Sequence, residues 1–470
     1  MSQDATPTQP IPDLIPEPAQ SEARALYSPT ERRRVIFRLA WPVSAEMILG
    51  TLVQVIDMAM VGRLGAVAIA AVGLSFRPLF VGQAIFLGLG VATTAMVARF
   101  TGARQPDQAN RVTEQALLTT SLLALALGLF AYLAGRQIVV FMGGEGEVVK
   151  LGTSYMRGIA PGLFFMLVAT IMTAALRGAG DTQTPMKVNI LTNLINVFGN
   201  WVLIFGHLGF PSLGVFGAAV ATSFSRLVGA AIMFIVLLRG RGGLHLEAAG
   251  FRRLDMDLIG RLFRIGIPAA LERMVMSVSA MIHIKIVATL GTVAVAAATV
   301  SSNAEQLSFM PAIGFSVAAS ALVGQNLGAC NPKEAAQSGR QAIALGTIFM
   351  GLMGLLFFIL PGLFVRIYTD QVEILASGIM LMRIVGLSQI PMAIGFVASG
   401  ALRGAGDTSS VLLATVVSSF VVRLGLSYLL VVILGWGLWA AWMATLLDWA
   451  VRAAITAIRF RAGRWQQIEV

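Results

Sequence analysis

Apolar runs of about 20 residues, separated by short clusters of Gly, Pro and Arg, recur along almost the whole chain. An α-helix of that length crosses a hydrocarbon core of ~30 Å. The clearest cases are 342–365 and 411–435. The pattern predicts twelve membrane helices, near 39–62, 67–97, 113–134, 152–176, 186–206, 213–238, 265–290, 293–322, 341–360, 378–402, 411–434 and 437–458. The fold class expected is an all-α integral membrane protein.

The runs come in two sets. The string ALRGAGDT occupies 175–182 and returns at 401–408, a shift of 226 residues. Without a gap the same shift superimposes Pro42 on Pro268, Glu46 on Glu272, and Gly102 on Gly328. Near the end, GVFGAAVAT at 214–222 matches GLWAAWMAT at 437–445, so the second copy is shorter by three residues, lost around His207–Ser212. This predicts a six-helix lobe at 35–238, a linker at 239–264 and a second lobe at 265–458, with tails at 1–34 and 459–470. Six is even, so the lobes are parallel pseudo-symmetric bundles related by an axis along the membrane normal, with a substrate path expected between them.

Composition agrees with the pattern. Hydrophobic residues make up 57% of the chain, charged residues 12%, and mean hydropathy is +0.80. Soluble domains carry roughly 25% charged residues. The net charge of +11 comes from 30 Arg and 4 Lys scattered through short loops, which argues against nucleic-acid binding and for the positive-inside bias. With the amino terminus in the cytoplasm, 22 of these cations fall in the tails and inner loops. Six fall outside: Arg63, Arg136, Lys150, Arg157, Arg366 and Arg383. Both termini are therefore expected in the cytoplasm of a cell whose plasma (inner) membrane holds the protein. The linker, rich in Arg, suits anionic lipid. Residues 1–30 hold six prolines and scattered acids, a composition that cannot pack and lacks the features of a signal peptide.

Several chemistries are excluded. A single cysteine, Cys330, rules out an intrachain disulfide. No Gly-Lys-Ser/Thr triplet is present, so ATP is not expected to drive the protein. His207, His245 and His283 lack metal-ligand spacing. No catalytic constellation is visible, so no enzyme activity and no cofactor are expected.

The unusual residues are acids inside the helices: Glu46, Asp57, Glu272, Glu305 and Asp448. A charge at mid-bilayer costs roughly 2.5–3.5 kcal/mol on insertion scales. Glu46 and Asp57 are eleven residues apart, about three turns, and so share one face at different depths. The repeat keeps Glu46 as Glu272 but replaces Asp57 by His283. Arg273 and Lys285 share the span of Glu272 and offer it partners. Asn196 and Asn200 are one turn apart on the fifth helix; they suit either a cation site or plain interhelical hydrogen bonds. Their copies are Val422 and Leu426. Arg423 and Asp448, on the last two helices, are expected to form a structural ion pair. In ALRGAGDT, the Arg and glycines are expected to end a helix and Asp-Thr to cap the next.

Taken together, VIDMAMVGRLG at 55–65, the paired ALRGAGDT, LGVFGAAVAT at 213–222, SFMPAIGFSVAASALVGQNLGA at 308–329 and RFRAGRW at 459–465 resemble the multidrug and toxic compound extrusion (MATE) family, over about residues 35–465. The resemblance implies two six-helix bundles around a central cleft, and export of small organic, often cationic compounds in exchange for H⁺ or Na⁺. It places Asp57, Asn196 and Asn200 at a cation-coupling site, a possible Na⁺ site included; in the carboxyl-terminal lobe, where the chain departs from the family's pattern, Glu272 and Glu305 are the candidates its own sequence offers. The family's acids on the seventh and tenth helices correspond to Met276 and Met392. With Glu46 and Gln54 these are expected along the substrate path. The expected partners are organic substrates and membrane lipids, with the protein acting as a monomer. The alternatives are export of organic anions such as carboxylates, and flipping of a lipid-linked precursor; the latter needs a strongly cationic cavity, and Arg77, Arg226, Arg273, Lys285, Arg423 and Arg452 within spans keep it open.

Overall fold

The computed structural model describes residues 28–251, 254–468 and 470. It is helical throughout, and twelve helices are long and apolar enough to cross a membrane. They are α1 (Pro29–Gly62), α2 (Ala66–Gly102), α3 (Pro106–Leu133), α4 (Gly146–Gly178), α5 (Gln183–Phe205), α6 (Gly214–Leu238), α7 (Met256–Ala288), α8 (Thr292–Gly328), α9 (Pro332–Ile359), α10 (Val372–Gly404), α11 (Thr408–Ile433) and α12 (Leu438–Arg461). Two short helices, Gly135–Phe141 and Pro361–Arg366, follow α3 and α9 at equivalent places in the repeat. They are too short for a hydropathy window to find.

Several boundaries differ from the sequence expectation, and capping explains why. The tail expected at 1–34 gives way to helix at Pro29. Ser28 and Glu31 form a reciprocal capping box there, and Pro29 fits the first helical position. The expected disorder of the residues before Ser28 lies outside the described residues. The linker shortens to 239–255 because the Asp255 side chain accepts from the Asp257 and Leu258 amides and starts α7 early. The linker also packs: His245 and Glu247 amides donate to Asn110 and Glu114 of α3. At the other end Trp465 is fully buried and stacks on Phe460, so the last residues are docked onto α12.

One span is wound differently from its copy. α5 is a regular α-helix, whereas residues 417–424 and 428–433 of α11 make i→i+5 hydrogen bonds. Such π-wound turns are rare and concentrate at functional places.

The lobes meet mainly through α1 against α8, α2 against α7, and α2 against α8. These contacts obey the two-fold of the repeat. A Cβ on Gly102 would run into the Gln325 carbonyl, and one on Gly328 into the Arg99 carbonyl. Gly88 meets Gly266, and Gly314 meets Ala40 and Ser44. Each pair maps onto the other under the 226-residue shift. The absence of side chains lets the backbones approach. All these contacts, the start of α1, the end of α12 and the described part of the linker lie toward one face of the bundle, the terminal face.

Side chains reinforce this closure. Gln325 Nε2 donates to Gly178 O at 2.9 Å, and Arg99 donates to the Ile468 carbonyl. Arg32, on the first turn of α1, reaches across to α9: it donates to Glu334 at 2.7 and 3.0 Å and to Gln337 at 2.9 Å. The Arg32–Glu334 pair is almost fully buried. Breaking a buried pair strands a charge and costs about 3 kcal/mol. Arg32→Met should therefore lower the stability of the purified protein by about that much, read as an earlier melting transition. The double variant Arg32→Met, Glu334→Leu should recover most of it. An unchanged melting curve for Arg32→Met would refute the assignment.

Candidate functional site

The polar residues of the spans fall into three groups. The first is a carboxylate pocket in the amino-terminal lobe. α1 and α5 run parallel, and each carries polar side chains eleven residues apart. They meet as two rungs: Asn189 Nδ2 donates to Glu46 Oε1 at 2.7 Å, and Asn200 Nδ2 donates to Asp57 Oδ1 at 2.7 Å. Asn196, with its amide nitrogen toward the carboxylate, donates to both Asp57 oxygens at 3.1 and 3.0 Å and accepts from Thr222 Oγ1 on α6 at 3.1 Å. Asn196 and Asn200 are 5% and 1% exposed. The Asn200 carbonyl oxygen is buried with no hydrogen-bond partner. Beside a carboxylate, such an acceptor fits a monovalent cation or the proton of a donor.

The second group lines a cavity of about 480 Å³ between the lobes. Here the copies match. Arg177 donates to Glu46 at 2.8 Å, and Arg403 donates to Glu272 at 2.6 and 3.2 Å. Thr415 makes a long contact to Glu272 at 3.5 Å, at the position of Asn189. Arg177 and Arg403 are the arginines of ALRGAGDT. Their expected role was to end a helix; instead they reach into the cavity and hold its two glutamates. The glycines and aspartates of the motif do play the structural part: Asp181 accepts from the amides of Gln183 and Thr184, and Asp407 from that of Ser410. The signal that identifies Arg177 is the repeat itself, since Glu46–Arg177 and Glu272–Arg403 have equal sequence separations.

The third group is buried in the carboxyl-terminal lobe. Arg423 lies 2.6 Å from Asp448, which is fully buried, and Arg452 lies 3.3 Å from the same carboxylate. Arg452 also donates to Ser418 and Ser419 of the π-wound segment at 3.1 and 2.8 Å and stacks over Trp449. His283 Nδ1 is 3.2 Å from Ser427 Oγ. This is the counterpart of the Asp57–Asn200 rung, displaced by one residue. The sequence copy of Asn200 is Leu426, but the wide winding of α11 passes the position to Ser427. Glu305 lies in this lobe, within electrostatic range of Arg423.

Of the residues expected along a substrate path, Glu46 and Met276 line the cavity. Met392 does not: it is 1% exposed and packs with Ala312, Met350 and Trp449. Gln54 is exposed and is not among the lining residues. Asp57 too lies outside the cavity lining, while the Glu46–Asn189 rung of the same pocket belongs to it, and Arg226 of the lining is within electrostatic range of Asp57. The Arg77 side chain lies outside the described residues. Among the described residues, no group of three His, Cys, Asp or Glu side chains could hold a metal ion.

Comparison with known proteins gives this arrangement a family. The MatE family model matches residues 42–202 and 268–429. The two matches begin at Pro42 and Pro268, the prolines that the repeat superimposes. The chain is 32% identical over 437 residues to a probable multidrug resistance protein NorM of Thermotoga maritima, covering 93% of this chain and 94% of that one. It is 25% identical to an uncharacterized transporter, YisQ, of Bacillus subtilis over 95% and 98% of the two chains. Among solved structures, a MATE transporter in complex with MaL6 superimposes with a TM-score of 0.84 at 25% identity, over 92% of this chain and 97% of that one. An outward-facing multidrug resistance MATE transporter of the MOP superfamily does so with 0.82 at 25% identity, over the same shares. The chain belongs to the MATE family of multi-pass membrane transporters.

Proposed function

We propose that the protein is a secondary active exporter of small organic compounds, driven by entry of H⁺ or Na⁺ and working by alternating access. Asp57, with Asn196 and Asn200, takes the coupling cation. The observation that carries this is the buried, unpartnered carbonyl oxygen of Asn200 next to a carboxylate that already accepts from two amides. Neutralising Asp57 weakens those charge-assisted bonds, and α1 is then free to shift against α5 and α6. The closed face is the cytoplasmic one, since it carries the basic termini and linker, and the captured state is outward-facing.

Glu272, with its two bonds from Arg403, is a positioning group of the cavity. Glu305, with no hydrogen-bonding partner on its carboxyl group among the described residues, is the carboxyl-terminal candidate for a second cation. In proteoliposomes, efflux should collapse with a protonophore at constant Na⁺ if protons couple, or on Na⁺ removal at constant pH if Na⁺ does. Transport that survives both treatments, followed with ethidium and with an organic anion, would refute cation coupling.

A further inference from the structure

The charges that line the central cavity do not balance. The duplicated positions supply two neutral pairs, Glu46–Arg177 and Glu272–Arg403. Two further arginines line the same cavity, Arg226 on α6 and Arg273 on α7. Neither guanidinium has a hydrogen-bonding or ion-pair partner among the described residues, and Arg226 Nε is buried with none. Neither is duplicated: Arg273 corresponds to Met47 and, in the shorter register of the last helix, Arg226 corresponds to Trp449. The symmetric part of the cavity is thus neutral, and what the copies added separately is positive. The remaining wall is largely apolar, with Met47, Met166, Met233, Met276, Phe309 and Phe396.

We propose that this cavity binds amphipathic organic anions. The acid group sits on Arg273, beside Arg403, with Arg226 contributing from the other lobe, and the apolar body lies against the Met and Phe wall. An organic cation would find both glutamates already held by arginine and, beside them, two guanidiniums without a bonded partner, of which Arg226 alone has a further carboxylate, Asp57, within electrostatic range. A guanidinium binds carboxylate, sulfonate or phosphate oxygens through paired N–H donors. A cavity of about 480 Å³ suits a small molecule. Asp57 is not in this wall, so anion and coupling cation occupy different positions, linked through Arg226, which lies within electrostatic range of Asp57.

The assignment rests on the exchange proposed above, and it has an electrical consequence. Exchanging one monovalent cation inward for one monovalent cation outward moves no net charge. Exchanging it for a monovalent anion outward moves two charges inward per cycle, so an inside-negative potential drives it.

The test compares radiolabelled p-aminohippurate, a monovalent anion, with tetraphenylphosphonium, a monovalent cation, in proteoliposomes under a potassium–valinomycin clamp. The expected result is potential-driven p-aminohippurate movement, with apparent affinity reduced roughly tenfold or more by Arg273→Gln and Arg226→Gln. Arg273→Lys should keep most of it. Should the Gln variants not fold, calorimetric binding of the two probes to the unaltered protein decides. A fluorescent phosphatidylglycerol provides a third arm: its movement without p-aminohippurate movement would assign the anion to a lipid headgroup and uphold the chemistry. Electroneutral tetraphenylphosphonium exchange, unaffected by Arg273→Gln and with no anion bound or moved, would overturn the proposal while leaving cation coupling intact. Anion movement indifferent to ΔpH and ΔNa⁺ would do the reverse.

Discussion

Asn in place of Asp57 stops gradient-driven transport, the largest functional effect expected of any single side chain. The substitution keeps the shape and removes the charge, so the amino-terminal pocket is fixed in its neutralised form. The amide oxygen still accepts from Asn200, but no proton or cation exchanges there. Transport should fall to the leak of protein-free vesicles. The melting temperature should stay at or above that of the unaltered protein, because a buried carboxylate costs more than a buried amide. Asn200→Ala should lie between, at roughly a tenfold loss, since it removes one bond to a charged group. Undiminished efflux by Asp57→Asn would remove this residue from the mechanism.

The second large effect concerns the closed face. Gly102→Val places a branched side chain where the Gln325 backbone lies, and no rotamer avoids it. Backbone cannot give way as a flexible side chain can, so α2 and α8 must part. Overpacking of this kind costs 1–3 kcal/mol and occasionally more. About 3 kcal/mol shifts a two-state equilibrium by roughly a hundredfold. A reporter is at hand in Ser44, which is buried against Gly314 across the lobe contact. With Cys330 changed to Ser, Ser44→Cys should react slowly with a membrane-permeant thiol reagent. Adding Gly102→Val should speed that reaction more than about tenfold. Equal labelling rates would show that the glycine contact does not hold the face shut.

The extent to which the sequence discloses this molecule depends on what each feature needs. Twelve spans follow from apolar length, a local property. The parallel lobes follow from an ungapped repeat and an even helix count. Glu46 and Asp57 stand out because charge is costly in lipid. Their partners are another matter. Arg177 sits in the last turn of α4 beside the glycines of the duplicated motif; the repeat singles it out with Arg403, but its pairing with Glu46 is seen only in three dimensions. Met392 shares a helix with cavity residues yet faces Trp449 and the packed interior; the outer side of that helix, with Leu387 and Ile390, is as apolar as its inner side, so orientation leaves no amphipathic trace. The extra turns of α1 and α7 rest on caps, Ser28 with Glu31 and Asp255, which hydropathy does not register. The surplus of positive charge in the cavity is equally invisible from the chain, since it requires knowing which arginines lack a partner.

The winding of α11 has a consequence for comparing relatives. Duplicated segments drift by substitution, insertion and deletion, and an alignment records all three. Here two substitutions exchange the polar residue for its neighbour, Leu426 for Asn200 and Ser427 for Trp201, and a change in how many residues fill a turn, which an alignment does not record, brings the new one to the old place. Past Leu424, an ungapped alignment of α11 to α5 names the wrong neighbour, Leu426 in place of Ser427. Transferring a residue's role onto this helix from a relative therefore requires knowing that relative's helical pitch as well as its sequence.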